Sequence, residues 1–177
     1  MLKRIFLSTA ALSFLAASLA FGQAKVSETD ANAMKKLAEA NLGEIEAGKL
    51  AADKAQSAQV KQFGQRMVDD HSKMLDQVKQ LARSKGVDLP GTPAMEERGR
   101  MLALRMKSGQ DFDKEYMADM VKDHEKDVQE TADLARQVSD PQLKSAIEQA
   151  HGKIQEHLAM AKQIAGSQGS ASGGTAK

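Results

Sequence analysis

Two stretches of this chain repeat one arrangement of reactive side chains. In "QRMVDDHSKMLDQVKQLA" (65–82), Met67-Val68 precedes Asp70-His71; in "ADMVKDHEKDVQETADLA" (118–135), Met120-Val121 precedes Asp123-His124. In both copies a Leu-Ala pair follows ten residues after the histidine. Helical spacing puts His71 on a stripe with Met67, Met74 and Val78, and His124 on one with Met120, Val121 and Val128, so both rings should face a core. Imidazole nitrogens in an apolar interior carry the lone pairs that a divalent metal needs, and a bound cation repays the desolvation that bare burial costs. Asp70 and Asp123, one residue earlier, point about 100° away around the helix. They can ligate, or orient an imidazole on a neighbouring helix.

The chain has four histidines, the other two being His151 and His157. With helical hairpin turns placed near 56 and 140, the level of His71 and His124 corresponds to about residue 41 on a first helix and about 156 on a last one. Glu44 and His157 fall within a turn of those levels. One layer can therefore draw Glu44, His71, His124 and His157 from four helices, as ligands for iron, zinc, manganese or copper. The alternative is a metal-free network of histidines and carboxylates whose members satisfy one another. Glu148-x-x-His151 has the spacing of a di-iron carboxylate pair, but such sites need two pairs on different helices and the chain carries one, so the pair reads as a surface or supporting feature. Met67 and Met74 beside His71 suggest copper only weakly, because methionine at core spacing is usually filler. Tyr116 reads as a core or interhelical hydrogen-bonding residue.

The elements that must position these residues are helices. From Ser27 to Ala165 helix formers dominate, and the chain has only three prolines. Ser27 and Asp30 can open a first helix ending near Ala55, and Ser57 can cap a second that Gly86 ends. "GVDLPGTP" breaks the chain, a short helix follows over about 94–107, and "SGQD" breaks it again. A further helix runs from about Asp111 to Ser139; Asp140-Pro141 then starts the last. The expected fold is all-α: a ferritin-like four-helix bundle with a short extra helix in the long linker between the second and third long helices. That linker is long enough either to cross the bundle or to cap its end, and a crossover fits better.

Residues 1–23 read as a signal peptide, with Lys3 and Arg4 before an apolar run of about fifteen residues and small residues after it, and cleavage falls between 20 and 24. The domain occupies 27–165, and the Gly/Ser-rich 166–177 reads as a disordered tail. A periplasmic location follows, with secretion or outer-membrane association as variants, and no membrane span in the mature chain. Without cysteine, thiolate sites and disulfides are excluded. Removing Lys3 and Arg4 from 25 basic residues leaves 23 against 24 acidic ones. With charges interspersed, nucleic acid is a poor partner. No nucleophile elbow, glycine-rich loop or aromatic platform points to an organic cofactor or nucleotide. An envelope protein or a second copy of the chain is a possible partner.

The segments "LGEIEAGKLAADKAQSAQVKQFGQRMVDDHSKMLDQVKQLARSKGVDLP", "SGQDFDKEYMADMVKDHEKDV" and "IQEHLAMAKQIA" resemble, in order, the bacterial family called domain of unknown function 4142, of the ferritin-like superfamily. The resemblance covers about 29–165. It implies an exported ferritin-like bundle without an established activity, with recurrent polar positions at Glu44, Asp70, His71, Asp113, Tyr116, Asp123, His124 and His157. Asp70, Asp123, Asp113 and Tyr116 would then support the ligands. The functional expectations are a metal-binding bundle acting in metal homeostasis or stress tolerance, a metal-free structural protein of the envelope, and, third, a redox enzyme at a ferritin-like centre.

Overall fold

Capping chemistry sets the helix ends. A computed structural model describes residues 26–171, and within them the chain forms five helices and no strand. The helices are α1 (Glu28–Lys54), α2 (Ala58–Lys85), α3 (Met95–Arg105), α4 (Gly109–Gln137) and α5 (Pro141–Ala171). Ser27 Oγ accepts the Asp30 amide at 3.0 Å, and Asp140 Oδ1 accepts those of Gln142 and Leu143 at 3.0 and 2.9 Å, the bonds that N-cap residues make. Gly86, at φ 67°, ends α2: its own amide bonds the Arg83 carbonyl at 3.3 Å and the next amide, of Val87, reaches Ala82 at 2.9 Å. Ser57 stands at the N-cap of α2 as expected, although its side chain makes no capping bond; the end of α5 differs from the sequence reading, the helix continuing past Ala165 to Ala171. Glycine costs a helix only about 1 kcal/mol and no proline intervenes, so Gly166 does not stop it. The signal peptide expected over 1–23 and residues 172–177 of the expected tail lie outside the described residues.

Each hairpin is latched by a buried aspartate from the other. Asp113, on α4, accepts the Gln56 and Ser57 amides of the α1–α2 turn at 2.9 and 2.7 Å. Asp30, on α1, accepts the Ser139 amide and hydroxyl of the α4–α5 turn at 2.8 and 2.6 Å. These contacts fix the topology. The end of α1 and the start of α4 meet at one end of the bundle, while the start of α1 and the end of α4 meet at the other. Helices α1 and α5 therefore run one way, α2 and α4 the other. The segment from Gly86 to Ser108 must cross the length of the bundle, and it carries α3 over the α1 and α4 faces. At its far end Lys54 Nζ bonds the Arg105 and Lys107 carbonyls at 2.6 and 2.8 Å.

Asp113→Ala would leave two turn amides without their acceptor. It is expected to cost about 2–4 kcal/mol, since bonds to a charged group and buried orphan donors are each worth 1–3. Urea unfolding measures this, and a loss below about 0.5 kcal/mol, the scale of an ordinary surface change, would show that the latch carries no weight.

The core divides in two. One apolar cluster centres on Phe63, Met67, Phe112, Tyr116 and Met120; the other on Met34, Leu75, Val78, Leu143 and Ile147. Helices α1 and α2 approach closely where Gly48 meets Gly64: a Cβ on Gly64 would stand 2.7 Å from the Gly48 carbonyl oxygen. In sequence, His71 lies between Met67 of the first cluster and Leu75 of the second, and the polar layer falls between the two clusters.

Candidate metal centre

His71 on α2, His124 on α4 and His157 on α5 are buried at 3%, 0% and 0% exposure. Their ring centroids form a triangle with sides of 6.0, 5.4 and 5.6 Å, and the planes are inclined by 87°, 41° and 66° rather than stacked. Each ring offers one ligating nitrogen, and the three lie within 4.8 Å of one another.

The other nitrogen of each ring is held, and the partner fixes the tautomer. Asn41 Nδ2 donates to the Leu37 carbonyl at 2.7 Å, which leaves Asn41 Oδ1 to accept from His71 Nδ1 at 3.0 Å. His124 Nδ1 donates to the Met120 carbonyl at 2.9 Å. His157 Nε2 donates to Asp70 Oδ2 at 3.0 Å. The nitrogens carrying lone pairs are thus His71 Nε2, His124 Nε2 and His157 Nδ1, and these same atoms are buried without a hydrogen-bond partner among the described residues. Burial holds all three rings below the usual histidine range, His71 well below and His124 at about 4, and neighbouring rings add to the effect on His71 and His124. Neutral imidazoles with fixed tautomers are what a metal takes up. A single water has two hydrogens to donate and cannot satisfy three acceptors; one cation can.

Asp70 reaches the imidazole of a neighbouring helix. Burial works to raise its pKa, but the His157 hydrogen bond and the Arg66 charge outweigh it, leaving the carboxylate below its ordinary value. The rest of the expected set is not gathered here. Glu44 lies outside the converging group. The residue of α1 that touches a ring is Asn41, at the level the helix arithmetic gives; an amide is not an obvious ligand, and its value is as an acceptor that fixes His71. Asp123 pairs with Arg100 of α3 rather than with a histidine, because α3 lies over that face of α4. Asp113 is about three turns further toward the helix start and latches the α1–α2 turn. Tyr116 stacks on Phe112 at 6.0 Å between centroids, and its buried hydroxyl has no partner among the described residues. His151 Nδ1 lies 2.9 Å from Thr131 Oγ1, apart from the cluster. Arg100 carried no sequence signal, since one arginine in a short amphipathic helix looks like surface charge.

A family model for a domain of unknown function, DUF4142, matches residues 16–164. The chain belongs to that family. No curated protein matches it. Among solved structures the chain is similar to a Bacillus halodurans C-125 protein provisionally described as a spore coat protein, with 16% identity and a TM-score of 0.69, over 82% of this chain and 91% of that one. At that identity the likeness shows the fold alone. Membership of DUF4142 brings no assigned activity, so the chemistry must be read from the residues.

Glu44 adds a second, opposing electrostatic feature. Burial pushes its carboxyl up to about 8, with Asp127 and Glu97 adding and Arg100 countering. The folded chain therefore keeps a proton on Glu44 at neutral pH that the unfolded chain releases. Between the ordinary glutamate value and about 8 the folded state binds more protons, so this group's contribution to stability falls as pH rises. Glu44→Gln keeps the shape of the protonated acid. In chelator-treated protein it is expected to gain on the order of 4 kcal/mol at pH 8, shrinking toward zero near pH 4.5. Denaturation across pH measures this, and a gain that does not vary with pH would contradict it.

Proposed function

We propose that this protein is an exported ferritin-like four-helix bundle that binds one divalent transition metal through His71, His124 and His157. The observation that carries the reading is the set of three buried imidazole lone pairs, each aimed by a hydrogen bond on the far side of its ring. Buried acceptors left unpaired cost about 1–3 kcal/mol each, a cost that a shared cation removes. Imidazole donors suit zinc, copper, iron and nickel, and three of them leave a position for water or a further ligand. Zinc–nitrogen bonds of about 2.0–2.1 Å set tetrahedral nitrogens roughly 3.3 Å apart, so loading would draw the rings together. Two antiparallel hairpins joined by one long crossover support the ferritin-like arrangement. Export rests on the charge, apolar run and small residues of the first two dozen positions; among the described residues no helix is long and apolar enough to cross a membrane. A role in metal homeostasis or stress tolerance fits such a site.

A second reading has its own support, because Asn41–His71 and Asp70–His157 are complete hydrogen bonds without any metal. On that reading the polar layer sets helix register in an envelope protein. Metal analysis of protein purified without a histidine tag, with thermal melts before and after chelation, separates the two. Bound metal and a lower melting temperature on chelation are expected; no bound metal and no stabilisation by added zinc, iron, manganese or copper would leave the second reading standing.

A further inference from the structure

The seams between the long helices are not equally closed. Helix α3 covers the stretch of the α1–α4 seam from Gly43, where the Glu97 side chain lies against the glycine, through Arg100 on Asp123. Beyond that cover the seam opens into a cavity of about 260 Å³. Asn41 and His71 line it, and His71 is the deepest of its polar residues at 3% exposed, with Nε2 unpartnered. Four charged residues line it as well: Lys36, Asp127, Glu130 and Asp133. Glu130 and Asp133 are exposed and pair with Lys126 and Arg136 on their own helix, contacts that offset their charge. Asp127 is different. It is half-buried and one turn beyond His124; its carbonyl accepts the Thr131 hydroxyl at 2.6 Å, while its carboxylate has no hydrogen bond or ion pair among the described residues.

We infer that this cavity is the port through which a divalent cation reaches the histidines, with Asp127 as the first protein ligand on the way. The inference rests on the proposed metal site. Asp127 is then the lining carboxylate without a paired cation, and a cleft with low-dielectric walls strengthens its pull on an entering cation. An unpaired carboxylate part-way in can take the place of water as the ion sheds its shell. The final step passes the ion to the cluster at His71, the one of the three histidines that lines the cavity.

Cobalt(II) loading of the chelator-stripped full chain, followed by stopped-flow absorbance, tests this. Asp127→Asn is expected to load about 10-fold more slowly, with a weaker salt dependence than the parent protein. Ala40 also lines the cavity and is exposed, so Ala40→Trp obstructs the opening without entering the core. It is expected to slow loading and chelator-driven release by a similar factor, leaving Kd unchanged. If the parent protein binds cobalt and both variants load and release at its rate, the port is wrong and the metal site stands. If the parent protein takes up no cobalt, the metal site itself is wrong, and the port falls with it.

Discussion

His124→Ala is expected to reduce affinity for zinc or cobalt by more than about 100-fold, beyond the 10–100-fold typical of losing a group that merely orients a ligand. The ring is fully buried, its Nδ1 is committed to the Met120 carbonyl, and its Nε2 has no other partner, so nothing nearby can replace it. Asp70→Asn supplies the comparison. It removes the carboxylate that holds the His157 tautomer but leaves all three imidazoles, and should cost about 10–100-fold. Competition with a chromophoric chelator measures both. Thermal melts give an independent reading: a metal present at 100 times Kd stabilises the parent protein by about 2.7 kcal/mol and should stabilise His124→Ala hardly at all. Equal metal affinity in the parent and His124→Ala would remove the histidine cluster as the binding site.

Gly64→Ala is expected to destabilise the fold by about 2 kcal/mol or more, although alanine is the better helix former by about 1 kcal/mol. The added methyl would stand 2.7 Å from the Gly48 carbonyl oxygen, 2.8 Å from the Ala51 Cβ and 2.9 Å from the Ala52 amide nitrogen. None of these is the end of a flexible side chain, so α1 and α2 would have to separate. Their separation would move His71 relative to His157, which couples the glycine contact to the metal centre. By contrast, Gly152→Ala meets no atom within 4 Å and should gain stability. Chemical denaturation of the two variants side by side is the check; a stabilised Gly64→Ala would mean the helices have room to spare there.

Helix ends were legible because capping is local. Ser27 with Asp30, Gly86, and Asp140-Pro141 each carry their signal within a few residues, and each sits at a helix end. The inward direction of His71 and His124 was legible for a related reason: a 3.6-residue period ties each ring to the methionines of its own stripe. Glu44 shows where that reasoning stops. Levels counted along paired helices point to residue 41, and Glu44 lies three residues on, within one turn of that level. Asn41 holds the ring because side-chain reach and helix rotation, rather than ligand chemistry, decide which residue meets it. Asp113 and Asp123 failed similarly, since each has a partner on an element more than twenty residues away.

The sequence by itself determined five helical segments, their caps, an apolar face on each and the level at which the histidines lie, because all of these follow from interactions within one or two turns. Tertiary structure alone decided which nitrogens face one another, which aspartate latches which turn, how closely Gly48 and Gly64 approach, and where the α1–α4 seam stays open. Those depend on the rotation and separation of whole helices. They are set by many small packing contacts summed over the length of the bundle, which no short stretch of sequence contains.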